Sequence, residues 1–399
     1  MNILIVNCGS SSQSFKVYQV EDNGNPAIIL SGKARNVASV TRDRSRIEYQ
    51  INNSSHSLEV DLPNHRQAAL ICARLLREHS ITIDAIGHRF VHGGTILTAT
   101  TRVTPESQKL LEVCLPLAPI HNPNSYSVVR VYQEQMPNIP QFVVFDTAFH
   151  TALPWSARLY ALPLNLMEEN GFYKYGFHGL SYQYISSKAA ILLEKPLDKI
   201  KLIMCHLGTG GSSVAAFMDG HSLETSMGYS PLPGLVMSTR CGDLDPEIVL
   251  ELIRRGHSAE FISSLLNTQS GLVGLSGYSS NLAEIITAAE SGNARCQDAY
   301  EVYASRLQLY IGGYFWKMNG ADAILFTDDV GTNCWQLREK VCGAVENLGI
   351  LLDCEKNRTA VPDQVQFIHT EASNVKIISM PTDEEGVILQ EVLNALIPD

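Results

Sequence analysis

KLIMCHLGTGGSSVAAFMDGHSLETSMGYSPLPGLVMSTRCGDLDP, residues 201–246, is the stretch on which the reading of this chain turns. The apolar run at 201–207 predicts a buried strand. Gly208, Gly210 and Gly211 permit a tight reversal that exposes backbone N–H groups, and residues 214–218 predict the returning strand. Such a turn cradles an anion, and the chain runs on from it to Arg240, Asp243 and Asp245. Alone, the same hairpin is equally an ordinary turn between two strands, so its meaning depends on what accompanies it.

Composition bounds the alternatives. A chain of 399 residues, 45% hydrophobic and 18% charged, buries sizeable cores, and its length points to two domains. The net charge of -11 argues against a nucleic-acid partner, so any anionic small substrate must be met by a locally positive cleft. Nine scattered cysteines without a CxxC predict neither a disulfide framework nor a zinc site, and a reducing cytoplasm is the expected location. No apolar stretch is long enough to span a bilayer, and the start of the chain, strand-like at residues 3–6, has neither a cationic region nor a cleavage site.

Working outward, residues 2–7 predict a short strand, followed by Cys8-Gly9-Ser10-Ser11-Ser12 and an alternating run at 15–20. This repeats the layout of 201–218, with Asn7 and His206 in corresponding places, and suggests a duplication. The hydroxyls of Ser10 and Ser12 suit phosphate oxygens; a serine-rich turn without a ligand is the alternative. Residues 64–79 predict a helix feeding a strand at 83–91, whose Arg89 either grips a carboxylate or phosphate or forms a surface ion pair. His121, in the proline-punctuated loop 116–123, is a polar loop residue or a lining group. A strand at 141–145 delivers Asp146 at its carboxyl end, where ligands of open α/β sheets gather; it orients a magnesium water or the attacking group, or caps the next helix. His178 sits among aromatic residues and reads as structural or catalytic. A helix at 297–319 carries an apolar stripe that is core or a dimer face, closed by Gly320. Strands at 321–326 and 375–380 lead to Asp328-Asp329 and to PTDEE (381–385), where Thr382 or Asp383 caps the last helix and Glu384 is a candidate to hold a cation.

In this order the motifs NCGSSS (7–12), GHRFVHGG (87–94), APIHNP (118–123), FDTAFH (145–150), YGFHG (175–179), HLGTGG (206–211), TSMGYSPLPGL to STRCGDLDP (225–246) and PTDEE (381–385) resemble those of the acetate kinase family of acyl kinases, over nearly the whole chain. The resemblance implies an α/β, two-domain fold of the actin/Hsp70/sugar-kinase type, a ribonuclease H-like duplicated βββαβαβα with the active site in an interdomain cleft. It implies domains at 1–149, with 382–399 returning, and at 150–381, together with a Mg2+ ion and a homodimer formed through the C-terminal domain. Arg89 and Arg240 are then expected to hold the carboxylate and the transferring phosphoryl group, His178 to stabilise the transition state, and Asn7, Asp146 and Glu384 to organise the metal and nucleophile. Asn7, Ser10, Ser12, His206, Gly208, Thr209, Gly210 and Gly211 would line the phosphate path. Val91 and Pro231, with His121, would form the acyl pocket.

The departures from the family pattern are equally specific. Ser14 stands where a lysine is usual, and Thr209 where an asparagine is. The nucleotide loop, usually close to FTAGIGEN, reads FTDDVGTN at 326–333, so that Asp329 replaces a glycine beside the adenine, with Asp328 and Gly331 flanking it. The segment usually reading SSDMRD is SSNLAE at 279–284, with Asn281 and Ala283 in place of an acid and a base-stacking arginine. In HGLSY (178–182), HLGTGGSS (206–213), STRCGD (238–243) and FTD…G…WQ, the last two being Trp335-Gln336, the chain is similar to the diphosphate-forming acetate kinase of amoebal type. The expected partners are acetate, acetyl phosphate, phosphate and diphosphate. ATP and ADP are the alternative, and a regulator that binds acyl phosphate without turnover is a third reading.

Overall fold

Two compact units, Met1–Ala148 with Asp383–Asp399 and Phe149–Thr382, make up the computed structural model, which describes residues 1–21, 24–38 and 44–397. The last two positions of the expected C-terminal return, 398 and 399, lie outside the described residues. Among those residues no helix is long and apolar enough to cross a membrane.

In the first unit, strands β1 (Asn2–Cys8), β2 (Ser12–Gln19), β3 (Ala27–Arg35), β4 (Arg46–Ile51), β5 (Ser54–Glu59), β6 (Ala85–Phe90), β7 (Thr101–Arg102) and β8 (Gln141–Phe145) form one sheet in the order β5-β4-β3-β2-β1-β6-β8-β7. Ile3, Leu4, Ile5 and Val6 are all buried, as expected of a strand covered on both faces, whereas β2 alternates buried Phe15 and Val17 with half-buried Ser14 and Lys16. The helix His65–Glu78 is capped by the Asn64 side chain and turns Ala68, Ile71, Cys72 and Leu75 into the core. The closing helix, Glu384–Leu396, is capped by Asp383, whose carboxylate accepts from the Gly386 N–H. It lies so close to β6 that a Cβ at Gly87 would come within 2.7 Å of Val392 and 2.9 Å of Ile388. The glycine opening GHRFVHGG is therefore a packing requirement.

In the second unit, β9 (Leu202–Gly208), β10 (Gly211–Met218), β11 (His221–Thr225), β12 (Ala323–Thr327), β13 (Gln366–Phe367) and β14 (Lys376–Ser379) run in the order β11-β10-β9-β12-β14-β13. The sequence β3-β2-β1-β6-β8 in the first sheet matches β11-β10-β9-β12-β14 in the second: two antiparallel pairings followed by two parallel ones. The duplicated α/β fold is as expected. The long helix spans Ala294–Lys317, and its stripe is core: Tyr303, Ala304, Leu307, Ile311 and Tyr314 are buried against β9 and β12 residues.

Both cores bury a neutral histidine. His88 donates from Nε2 to Gln141 Oε1 at 2.8 Å, and His150 bonds Ser222 and the Phe177 carbonyl; burial pushes each pKa from 6.5 down to about 4. Below pH 6.5 the unfolded chain takes up these protons first, so stability falls with pH until the folded pKa is reached. The two histidines together give a slope of up to about 2.7 kcal/mol per pH unit. Chemical denaturation at pH 7, 5.5 and 4.5 is expected to show a progressive loss of midpoint, and a midpoint unchanged over that range contradicts the assignment.

Candidate active site

The parallel pairing of β9 with β12 sets Thr327 beside His206, so the chemistry-bearing residues of the second unit emerge at the carboxyl ends of adjacent strands. His178 caps the helix Gly179–Leu192 in a left-handed conformation, φ 60, a strained state for a residue with a Cβ. Its ring stacks on that of His206 with centroids 4.1 Å apart. A Cβ on Gly211 would stand 3.1 Å from Arg240 Nη1 and 3.5 Å from His178 Nε2, so Arg240, His178, His206 and the hairpin converge. None of Gly208, Gly210 or Gly211 has a positive φ, contrary to the expectation that these glycines serve the reversal. They serve space: a side chain on Gly208 would collide with the Asp328 carboxylate, one on Gly211 would crowd Arg240, and Gly210 faces open volume.

Hydrogen bonds orient the His178 ring. Buried Tyr182, its pKa raised by desolvation, bonds Ser213 Oγ at 2.5 Å. Ser213 Oγ in turn bonds His178 Nδ1 at 2.8 Å. This turns Nε2 of the imidazole to the side of Gly211 and Arg240. His206 Nδ1 bonds Ser181 at 2.9 Å, and its Nε2 lies 3.2 Å from Asp328 Oδ2. Arg240 has no carboxylate partner among the described residues; its Nη1 touches the Pro231 carbonyl at 3.4 Å and Met237 Sδ at 3.8 Å, and burial lowers its pKa. A half-buried guanidinium left in this state is poised for an anionic ligand.

The first unit holds a second cluster. Arg89 donates from Nε and Nη2 to the two oxygens of Asp146 at 2.9 and 2.6 Å, and from Nη1 to Asn7 Oδ1 at 3.0 Å. Glu384 lies 3.6 Å from Nη1 and accepts from Asn7 Nδ2 at 3.0 Å. Burial opposes the charge on Arg89, but Asp146 and Glu384 outweigh it and hold the pKa above its ordinary value. The pair is thus not a surface ion pair, since the Asp146 side chain is 1% exposed and the Arg89 side chain 15%. Ser14, at the usual lysine position, donates to Glu385 Oε1 at 2.5 Å, while Lys16, two residues on, lies 3.4 Å from Glu385 Oε2. The charge has moved along the strand without leaving the cluster. Ser10 is exposed and Ser12 half-buried beside it; Val91 is buried directly after β6, and His121 precedes the helix Asn122–Gln135.

The sequence matches the Acetokinase family over residues 2–390. The chain belongs to that family. An acetate kinase of Clostridium botulinum is 41% identical over 399 residues, 98% of each chain. Among solved structures, Porphyromonas gingivalis acetate kinase is 36% identical, with a TM-score of 0.89 over 99% of this chain and 100% of that one. The acetate kinase of Entamoeba histolytica is 38% identical, with a TM-score of 0.88 over 99% of both.

On this acetokinase scaffold the positions expected at the nucleoside do structural work. Asn281 caps the helix Leu282–Glu290 by accepting from the Ala283 N–H, and Ser279 donates to Glu284 at 2.6 Å. Two residues escaped the sequence reading. His150 braces the loop before His178: it bonds the Phe177 carbonyl at 3.0 Å and packs where Gly176 has no side chain. Arg338, 1% exposed, donates to the carbonyls of Gly331, Thr332 and Asn357 and to Asn357 Oδ1, at 2.7 to 3.1 Å. His150 was visible in FDTAFH, but nothing local marks Arg338 as buried.

The two arginines predict unequal stability effects. Arg89→Ala strands a buried Asp146 carboxylate and is expected to cost about 3–5 kcal/mol, whereas Arg240→Ala removes a desolvated charge with no carboxylate partner and leaves the denaturation midpoint nearly unchanged. Equal losses in urea unfolding contradict this. Ser213→Ala, which removes the bond that orients the His178 ring, is expected to lower kcat by about 10–100-fold with little change in KM; an unaltered kcat refutes the orienting role.

Proposed function

We propose that the protein is a phosphotransferase with a carboxyl acceptor, interconverting acetyl phosphate plus phosphate with acetate plus diphosphate in the presence of Mg2+. Family membership supports the acyl-phosphate chemistry. The observation that carries the choice of donor is the groove beside the hairpin, lined by Asp328, Asp329, Asp363 and Asn333 with no lysine or arginine among its described residues. A nucleotide reaching past the transferring phosphate needs a cation or an open glycine there, whereas phosphate and diphosphate need only the Arg240 end.

In the forward step an acetate oxygen attacks the terminal phosphorus of diphosphate in line, the bridging P–O bond breaks, and phosphate leaves with the electron pair. The loose transition state spreads negative charge over three equatorial oxygens, so catalysis is positioning and neutralisation. Arg240 meets that charge with an uncommitted guanidinium, His178 Nε2–H donates to it, and the missing Cβ of Gly211 leaves the phosphoryl group room. Arg89, oriented by Asp146 and Asn7, retains N–H groups for the carboxylate. Val91, His121 and Pro231 keep the assignment to the acyl group that the family resemblance implies.

Glu384, Asp146 and the Asn7 carbonyl are hard oxygen donors, the chemistry that suits Mg2+, which takes one or two carboxylates and keeps several waters. These residues would hold it, and when bound it would neutralise phosphoryl oxygens.

Acetyl phosphate consumption with Mg2+ is the test, comparing phosphate with ADP as acceptor. Turnover with phosphate alone, yielding diphosphate, is expected. Turnover only with ADP would assign the protein to ATP-dependent acetate kinases, and no turnover with either would favour a regulator. Arg240→Ala is expected to reduce turnover by about 10³-fold or more.

A further inference from the structure

Two of the departures from the family pattern, 120 positions apart in sequence, bond to each other. Thr209, at the tip of the β9–β10 hairpin, donates its backbone N–H to Asp329 Oδ1 at 2.8 Å and its hydroxyl to Asp329 Oδ2 at 2.7 Å. Asp329 Oδ1 also accepts the Val330 N–H at 2.8 Å. One carboxylate oxygen thus receives two backbone N–H groups, one from each loop, and the other receives a hydroxyl. That is the donor set a phosphate oxygen would meet at a glycine-rich turn.

The loop carrying Asp329 is held in place. The Asn333 side chain donates to the Asp329 carbonyl at 2.6 Å, and Arg338 clamps the carbonyls of Gly331 and Thr332 from the core side at 2.7 and 2.8 Å. Asp328 is fixed in a left-handed conformation, φ 65, with its carboxylate over Gly208 and beside His206. A carboxylate on a loop braced in this way does not swing aside at no cost.

We infer that the Asp329 carboxylate is a built-in occupant of the anion seat at the hairpin tip and, with Thr209, determines which phosphoryl partner the enzyme accepts. It does so by filling with protein charge the place where a nucleotide would continue past the transferring phosphate. Phosphate and diphosphate, which end at Arg240 and Gly211, do not reach the seat; a nucleoside diphosphate must displace Asp329 or meet its charge. This rests on the donor reading proposed above and assigns that selectivity to one bonded pair.

The test measures kcat/KM for ADP and for phosphate with acetyl phosphate, and ADP binding by calorimetry, in wild type, Asp329→Gly, Asp329→Asn and Thr209→Val. Asp329→Asn is nearly isosteric and keeps the test valid where the glycine variant folds poorly. Both Asp329 variants are expected to raise the ADP-to-phosphate ratio of kcat/KM at least tenfold and to tighten ADP binding. Thr209→Val, which keeps the amide bond, is expected to shift the ratio less in the same direction. A ratio within twofold of wild type in both Asp329 variants, with ADP binding unchanged, overturns the inference whichever acceptor the wild type prefers. A wild type that strictly requires ADP overturns the donor reading, and the response of the variants still decides the role of Asp329.

Discussion

Each of the two side-chain clusters depends on the parallel register of the central strands of its own unit. Because β1 lies parallel to β6 with Val6 opposite His88, Asn7 and Arg89 leave the sheet side by side, and β8 brings Asp146 to the same end. Because β9 lies parallel to β12 with His206 opposite Thr327, Asp328 and Asp329 follow directly onto the glycine hairpin. Polar groups at strand ends are spared the desolvation that the apolar strand interiors impose, and this is why ligand sites of α/β sheets form there.

The two arginines illustrate how one side-chain type is given different work. Arg89 is locked to Asp146 in a bidentate pair and to Asn7, so its charge is balanced by the protein before any substrate arrives. Arg240 bonds a carbonyl and a thioether, and among the described residues no carboxylate balances its charge. A buried balanced charge holds architecture, whereas an unbalanced one waits for an anion.

The fold was legible because the strands announce themselves: the apolar runs at 2–7, 201–207 and 321–326 read correctly, and the repeated strand-turn-strand layout foretold the matched topology of the two sheets. The role of the hairpin glycines was not legible, since a glycine needed for φ and one needed for the space of a remote side chain look alike in sequence. The Thr209–Asp329 bond was equally hidden, although each residue stood out as a departure, because local sequence carries no information on pairs so far apart. Arg338 was missed for the same reason: only the assembled core reveals that its donors end on backbone carbonyls.

The most direct test of the account is a crystal structure with diphosphate and Mg2+. Diphosphate oxygens are expected on Arg240, on His178 Nε2 and against Gly211, with the bonds from Thr209 to Asp329 intact. Diphosphate seated on the Thr209 amide with Asp329 displaced, or bound away from Arg240, would contradict it.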